Sequence, residues 1–236
     1  MDTFSVTLAG TTLSIRCRHP FTRAACKGYE APASAAAAFS VAASQEEIDG
    51  AAAEGAQSPA YGEFICLHRQ IAEAMPKYGA AVMHGAAISY EGAGILFMAP
   101  SGTGKSTHIR LWRQVFGSQV AIINGDKPLV GIHPCPTLYG SPWAGKEGWQ
   151  KNTAAPLKAI CLLQRGTSNR IQRLDGSKCL ARLLQQVYLP KDPEAMAATL
   201  ALFGSLLEQV PIYQLECNMD PQAAQVACRG MTEALK

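Results

Sequence analysis

Apolar and polar positions change period several times along the chain, and each change marks an element. Over residues 4–17 apolar side chains alternate loosely on either side of Gly10, which predicts a small hairpin. Residues 18–60 carry a weaker pattern: the stretch 31–60 is rich in Ala, Ser and Gly, with a short strand near Phe39-Ser-Val-Ala42 and a helix near Glu46-Glu-Ile-Asp49. From Tyr61 the pattern sharpens. Phe64, Leu67, Ile71 and Met75 recur at three- and four-residue spacing, the mark of an amphipathic helix that Pro76 and Gly79 end.

Two extended runs follow, Ala80 to Tyr90 and Gly94 to Met98, joined by Glu91-Gly92 and read as a β-hairpin. Its second strand leads straight into a glycine-rich loop. Beyond the loop, Ile109, Trp112, Val115 and Phe116 mark one face of a helix closed by Gly117, and Val120-Ala-Ile-Ile123 is a fully apolar, buried strand. Further strands are expected at Leu129–Ile132, Leu157–Gln164, Asn169–Leu174 and Ile212–Glu216, with helices at about 176–188, at 193–209 and from Pro221. The stripe Met196, Leu200, Phe203, Leu207 and Val210 is read as core packing and not as a cofactor face. Interleaved strands and helices indicate an α/β fold, a mixed sheet with flanking helices over residues 61–236, preceded by a small β-rich accessory segment over 1–60.

Composition narrows the function classes. With 236 residues, 48% hydrophobic and 17% charged, the chain suits one main domain with an appended segment. A formal charge of +3, with no local concentration of Lys and Arg, argues against a nucleic-acid or anionic-membrane partner. The start has no basic region followed by an apolar one, and no run approaches about 18 uninterrupted apolar residues, so a cytoplasmic location is expected. The eight cysteines lie far apart with no C-x-x-C pair, which suggests buried small hydrophobes in a reducing compartment and not a zinc site.

Candidate chemistry centres on Ala99-Pro-Ser-Gly-Thr-Gly-Lys-Ser106, which fits the phosphate-binding pattern except that Ala replaces the first Gly. Gly102 and Gly104 let backbone N–H groups turn toward an anion, and the following helix points its positive end at the same place. Across Ser101, Gly102, Thr103, Gly104, Lys105, Ser106 and Thr107, this loop is expected to cradle ATP or another nucleoside triphosphate, with Lys105 at the terminal phosphates and Ser106 on Mg²⁺. The plainer alternative is a Gly-Ser-Thr turn with a good N-cap. Val120–Asp126 reads as an apolar strand ending in a carboxylate, and Asp126 follows Lys105 by only 21 residues, room for one helix and one strand. Asp126 is thus the candidate second magnesium ligand; its alternative is a turn residue beside Gly125.

Met83-His84-Gly85, the hairpin, the loop Ser101–Thr107, the helix and the strand ending Asn124-Gly-Asp126 together resemble the catalytic core of bacterial HPr kinase/phosphorylase. They are similar, more distantly, to the nucleotide site of phosphoenolpyruvate carboxykinase. The likeness covers residues 80–130 well and the remainder only in its strand–helix order. It implies a P-loop kinase fold of that type, and it carries over His84, Lys105, Ser106 and Asp126 as site residues. In that family two adjacent Asp residues follow the loop; here Gly125 takes the place of the first. Either His84 or Asp126 must then accept the substrate's proton, or the reaction needs little base help, or catalysis is impaired. Without the resemblance, His84 would read equally as a neutral histidine bonded within the fold.

A second loop, Tyr139-Gly-Ser-Pro-Trp-Ala-Gly-Lys-Glu-Gly-Trp149, surrounds Lys146 with Gly, Pro and Trp. Lys146 either stabilises charge on the transferred group or is a solvated Lys in a turn pinned by two Trp rings; Trp143 and Trp149 either cover substrate or anchor the loop. Lys127 and Lys151 are expected to face solvent. The expected activity is Mg- and ATP-dependent transfer to a hydroxyl of serine type, in a small molecule, peptide or protein. A carboxykinase-like enzyme would need extra metal ligands and a basic cluster for a dicarboxylate, which this sequence does not show, and a nucleotide-binding partner or assembly protein that has lost catalysis is the alternative that Gly125 supports. Whether the chain forms a homo-oligomer is left open.

Overall fold

The computed structural model describes residues 1–32 and 34–236. Strands β1 (Asp2–Leu8) and β2 (Thr11–Cys17) form the expected hairpin, turning through Ala9 (φ 47°) and Gly10 (φ 79°), both in the left-handed region that a two-residue hairpin turn requires. Helix α1 (Pro20–Ala25), which the apolar pattern did not announce, leads toward β3 (Phe39–Ala42), which pairs parallel to β2. Helix α2 (Gln45–Ala53) starts in a capping box: the Ser44 hydroxyl accepts from the Glu47 amide while the Glu47 carboxylate accepts from the Ser44 amide. Helix α3 (Pro59–Ala74) follows, with Ser58 accepting from the Tyr61 amide.

The expected single run Ala80–Tyr90 is two strands. β4 (Ala80–Val82) pairs with β8 (Leu129–Gly131), whereas β5 (Gly85–Tyr90) pairs with β6 (Ala93–Met98) and β7 (Val120–Asn124). At the break the amides of Met83, His84 and Gly85 donate to Pro128, Gln186 and Asp126, three different partners. Gly85 is needed there, since a Cβ on it would lie 2.9 Å from the Phe97 carbonyl oxygen. A run of small apolar residues does not reveal that its two halves choose different neighbours.

The large sheet has the order β4-β8-β9-β10-β6-β5-β7, where β9 is Thr137–Tyr139 and β10 is Ala154–Arg165. β12 (Ile212–Cys217) pairs parallel to β10, and β11 (Arg170–Leu174) closes that side antiparallel to β12. Twelve-residue β10 joins the two halves: it begins antiparallel to β9 and continues parallel to β6 and β12. Alternate residues of β6 enter opposite cores. Ile95 and Phe97 pack with α4 (Lys105–Phe116) and α7 (Gln222–Met231), while Leu96 and Met98 pack with the short α5 (Leu180–Leu184) and with α6 (Pro193–Gln209). A third core joins the N-terminal sheet and α2 to α3 and reaches Val82, Leu129 and Trp143. The chain is therefore α/β with mixed sheets and flanking helices.

Two helical expectations need correction. The helix expected at about 176–188 is a 3-10 turn at Gly176–Lys178 followed by the single short helix α5. In α6 the buried face is Ala195, Thr199, Leu202, Phe203 and Leu206, and Leu200, placed in the core stripe above, is 45% exposed. α6 is apolar around most of its circumference, so two overlapping stripes fit the spacing and only the packed neighbours choose between them.

Strand direction positions the site. β6, β7, β10 and β12 all run the same way, and antiparallel β5 starts where they end. The residues before β5 and after β6, β7, β10 and β12 therefore gather along one edge of the sheet, where open α/β sheets hold ligands.

Candidate functional site

The chain leaves β6 at Met98, turns through Gly102 (φ 78°) and Gly104 (φ 118°) and enters α4 at Lys105. Both glycines have open space where a Cβ would stand, and both adopt left-handed backbone. Gly104 occupies the N-cap position and supplies no side-chain cap, and among the described residues no acceptor meets the amides of Lys105, Ser106 or Thr107. An ordinary capped turn is thus not what stands here. An uncapped helix start presents unpaired N–H groups and a positive dipole end to an anion. From the end of β10 the Arg165 guanidinium donates to the Gly102 carbonyl and, at 3.3 Å, to the Thr103 carbonyl, bracing the loop.

Lys105 is only 8% exposed, and its ammonium donates to the Ala99 carbonyl (2.7 Å), the Pro100 carbonyl (3.4 Å) and His84 Nε2 (3.2 Å). His84, set in the break between β4 and β5, also lies 3.4 Å from Asp126 Oδ1. Burial and the nearby Lys127 and Lys105 ammonium groups push the His84 imidazole down to about 4, so it is neutral at pH 7. Because an ammonium only donates, neutral His84 accepts at Nε2 and orients Lys105. Burial, and then the Lys127 charge, also lower Lys105 below its ordinary value, while Asp126 works in the opposite direction.

Asp126 follows β7. Asn124, fully buried, accepts the Asp126 and Lys127 amides at Oδ1 (2.8 and 2.7 Å) and donates from Nδ2 to the Ser141 and Trp143 carbonyls (3.0 and 3.3 Å). One amide side chain thus ties the end of β7 to the second loop. Lys127, expected to face solvent, instead pairs with Asp126 Oδ2 at 3.3 Å and is 28% exposed, because the chain turns back at Asp126 and brings the two side chains to one rim. Lys151 is exposed as expected.

The second loop folds over the same edge. Its 3-10 turn Gly145–Glu147 places Gly145 (φ 69°) so close to Asp126 that a Cβ would lie 2.9 Å from the aspartate Cβ. Trp143 is an anchor: its ring stacks on Phe64 at 5.2 Å and its Nε1–H donates to the Phe64 carbonyl at 3.2 Å. Trp149 lies under the Arg110 guanidinium, which also pairs with Glu147 at 2.6 Å. The place of a first acidic residue is tight: a Cβ on Gly125 would meet the Ala144 carbonyl oxygen at 3.3 Å and Trp149 Cβ at 3.4 Å, so its neighbours would have to give by a few tenths of an ångström.

These pieces line one cleft of about 530 Å³. It brings together His84, Ser101, Gly102, Gly104, Lys105, Ser106, Thr107, Asp126 and exposed Lys146; Thr103 lies instead on a neighbouring hollow of about 460 Å³ with Leu111, Arg165 and Asn218. Hydroxyl and carboxylate oxygens from Ser106 and Asp126 are the donor set that Mg²⁺ takes, with water and phosphate completing its shell. Sequence reasoning missed Asn124 as a tether, Arg165 as a brace and Arg110–Glu147 as a clasp. The Arg165 and Arg110–Glu147 contacts and the Asn124 bonds to Ser141 and Trp143 span long sequence separations that no local pattern reports, whereas the Asn124 bonds to the Asp126 and Lys127 amides form a local Asx turn.

No curated protein matches the chain. The family model described as "ScmC: SynChlorMet cassette protein ScmC" matches residues 64–222, which takes in well over half of the chain and every cleft residue except Tyr61. The chain belongs to the ScmC family.

Proposed function

We propose that this protein is a P-loop kinase of the HPr kinase type, which transfers the γ-phosphoryl group of ATP, with Mg²⁺, to a hydroxyl. The observation that carries this reading is the convergence of an uncapped helix start, Lys105, His84, Asp126 and Lys146 on one cleft. The loop amides receive the phosphate chain, and Lys105 moves from the Ala99 and His84 acceptors to the terminal phosphates. The neighbouring hollow beside Thr103 and Arg165 has room for a nucleoside. Ser106 and Asp126 would hold Mg²⁺, which would supply charge neutralisation. In the step itself, the acceptor oxygen bonds to the γ-phosphorus as the bond from that phosphorus to the β,γ-bridging oxygen breaks, leaving ADP with the electron pair. The hydroxyl proton passes to the Asp126 carboxylate or to water. Phosphoryl transfer of this loose kind needs little base help, so a single carboxylate suffices. Lys146, exposed on the loop that crosses Asp126, offsets charge on the group in flight.

Purified protein with Mg²⁺ and γ-labelled ATP is expected to label hydroxyl-bearing acceptors in a cell extract, and Lys105→Ala to lower the rate by about 100-fold or more. A second reading, a nucleotide-binding protein without catalysis, draws on Gly125 in place of the first acidic residue and on the tight space around it. Nucleotide binding by calorimetry with no transfer to any acceptor decides for it, and silence with ATP, GTP, ADP and pyrophosphate ends both.

A further inference from the structure

Next to the phosphate cleft lies a second cavity of about 480 Å³, which the proposed transfer leaves unexplained. The two share Tyr61, Asp126, Ala144 and Gly145, so they meet at the carboxylate. Its walls are aromatic. Phe64 stacks on Trp143, Phe21 meets Phe64 edge-on at 5.4 Å and Tyr61 at 6.2 Å, and the His68 ring lies 4.8 Å from Trp143. Phe21 and Tyr61, 43% and 36% exposed, are two of the few large hydrophobic side chains left open to solvent, and both belong to this one cavity. Exposed apolar groups gathered at a concavity mark a binding site more often than scattered ones do.

One polar atom in the wall behind it has no partner. His68 Nε2 is shut off from water and bonded to nothing among the described residues. Burial, and then the Lys127 and Arg69 charges, hold that imidazole down to about 3, so it stays neutral.

We propose that this cavity holds the phosphoryl acceptor, and that the acceptor's hydroxyl is attached to a ring-sized aromatic group, which packs against Trp143, Phe64 and Phe21 while the hydroxyl reaches Asp126 past Gly145. The assignment rests on the phosphoryl-transfer reading. Two walls come from α1 and α3, so the segment before residue 60 contributes Phe21 and Ala25 to the choice of acceptor. The same chemistry is met by a free aromatic alcohol and by a serine flanked by an aromatic residue in a peptide.

The test measures binding by calorimetry and transfer from labelled ATP with matched probes. Tryptophol stands against ethanol as the free source; N-acetyl-Ala-Ser-Trp-amide stands against N-acetyl-Ala-Ser-Ala-amide as the peptide source. The ring-bearing member of at least one pair is expected to be favoured by about tenfold or more in kcat/KM, the scale of one or two aromatic contacts. Phe21→Ala, at an exposed position, is expected to reduce that preference, as is Ala25→Trp, which fills the cavity. Equal use of ringed and ringless acceptors overturns the proposal while leaving kinase activity intact. Ring binding with no transfer to any acceptor overturns both the acceptor assignment and the kinase reading, and a ring preference untouched by Phe21→Ala and Ala25→Trp places the acceptor elsewhere.

Discussion

Lys105 illustrates how a single side chain divides between function and stability. Its ammonium is almost fully buried, and burial together with the Lys127 charge disfavours its charged form. Because the folded state disfavours that charge relative to water, its ionisation detracts from folding at neutral pH. Lys105→Met is therefore expected to abolish transfer while leaving the urea midpoint at pH 7 unchanged to within about 0.5 kcal/mol, or raised; a large loss of stability would make Lys105 structural. The histidines act together on pH. His84 is pushed down to about 4 and His68 and His108 to about 3, all chiefly by burial. The unfolded chain, with ordinary imidazoles, then binds more protons than the folded one below about pH 6.5, so stability is full above that value and falls as pH drops toward 4. Each such histidine contributes a slope of about 1.4 kcal/mol per pH unit in that window. Urea titrations at pH 7, 6 and 5 are expected to show the midpoint falling steadily, and a flat profile would mean that these rings are accessible in the fold.

The helix start, β7 and the second loop act as units, and two residues set how well they hold together. Arg165, from the end of β10, grips the carbonyls of Gly102 and Thr103 and keeps the loop amides aimed outward. Arg165→Ala is expected to weaken nucleotide binding by about tenfold in calorimetry, the value of one charge-assisted hydrogen bond, with little change in thermal midpoint. Asn124 carries more. Its amide satisfies two backbone N–H groups and two carbonyls in a place without water, so Asn124→Ala is expected to cost about 2–4 kcal/mol in urea unfolding and to release the loop that carries Trp143. The loss of Trp143 stacking on Phe64 would appear as a red shift in its fluorescence. At this scale the sequence was legible where an element's own residues define it, as with the Phe64–Met75 stripe of α3 or Gly104 before α4. It was not legible at Ala80–Tyr90 or on α6, where several readings of the same apolar residues are equal until a partner is chosen.

Across the whole molecule, three cores are stitched by β10 and by the Trp143 loop, without disulfides. All eight cysteines are free; five are buried, Cys217 and Cys228 are half-buried and Cys135 is exposed. Burial pushes the Cys26 thiol up to about 12 and raises Cys161. Native protein is thus expected to react with iodoacetamide first at Cys135, by peptide mapping, and to melt at the same temperature with and without dithiothreitol; a reductant-dependent midpoint would contradict the free-thiol arrangement. No helix among the described residues is long and apolar enough to cross a membrane.

By itself the sequence determined what depends on neighbours along the chain: the α/β alternation, the loop from Ala99 to Thr107 and the strand that ends near Asp126, since glycine backbone freedom and side-chain period are local properties. Only the tertiary structure decided that His84 stands at a strand break beside Lys105, that Lys127 pairs with Asp126, and that Phe21 and His68 wall a cavity next to them. Those are meetings of residues far apart in the chain. They follow from parallel strands ending on one edge and from three cores closing together, and the energy that selects such contacts is not present until the sheet exists.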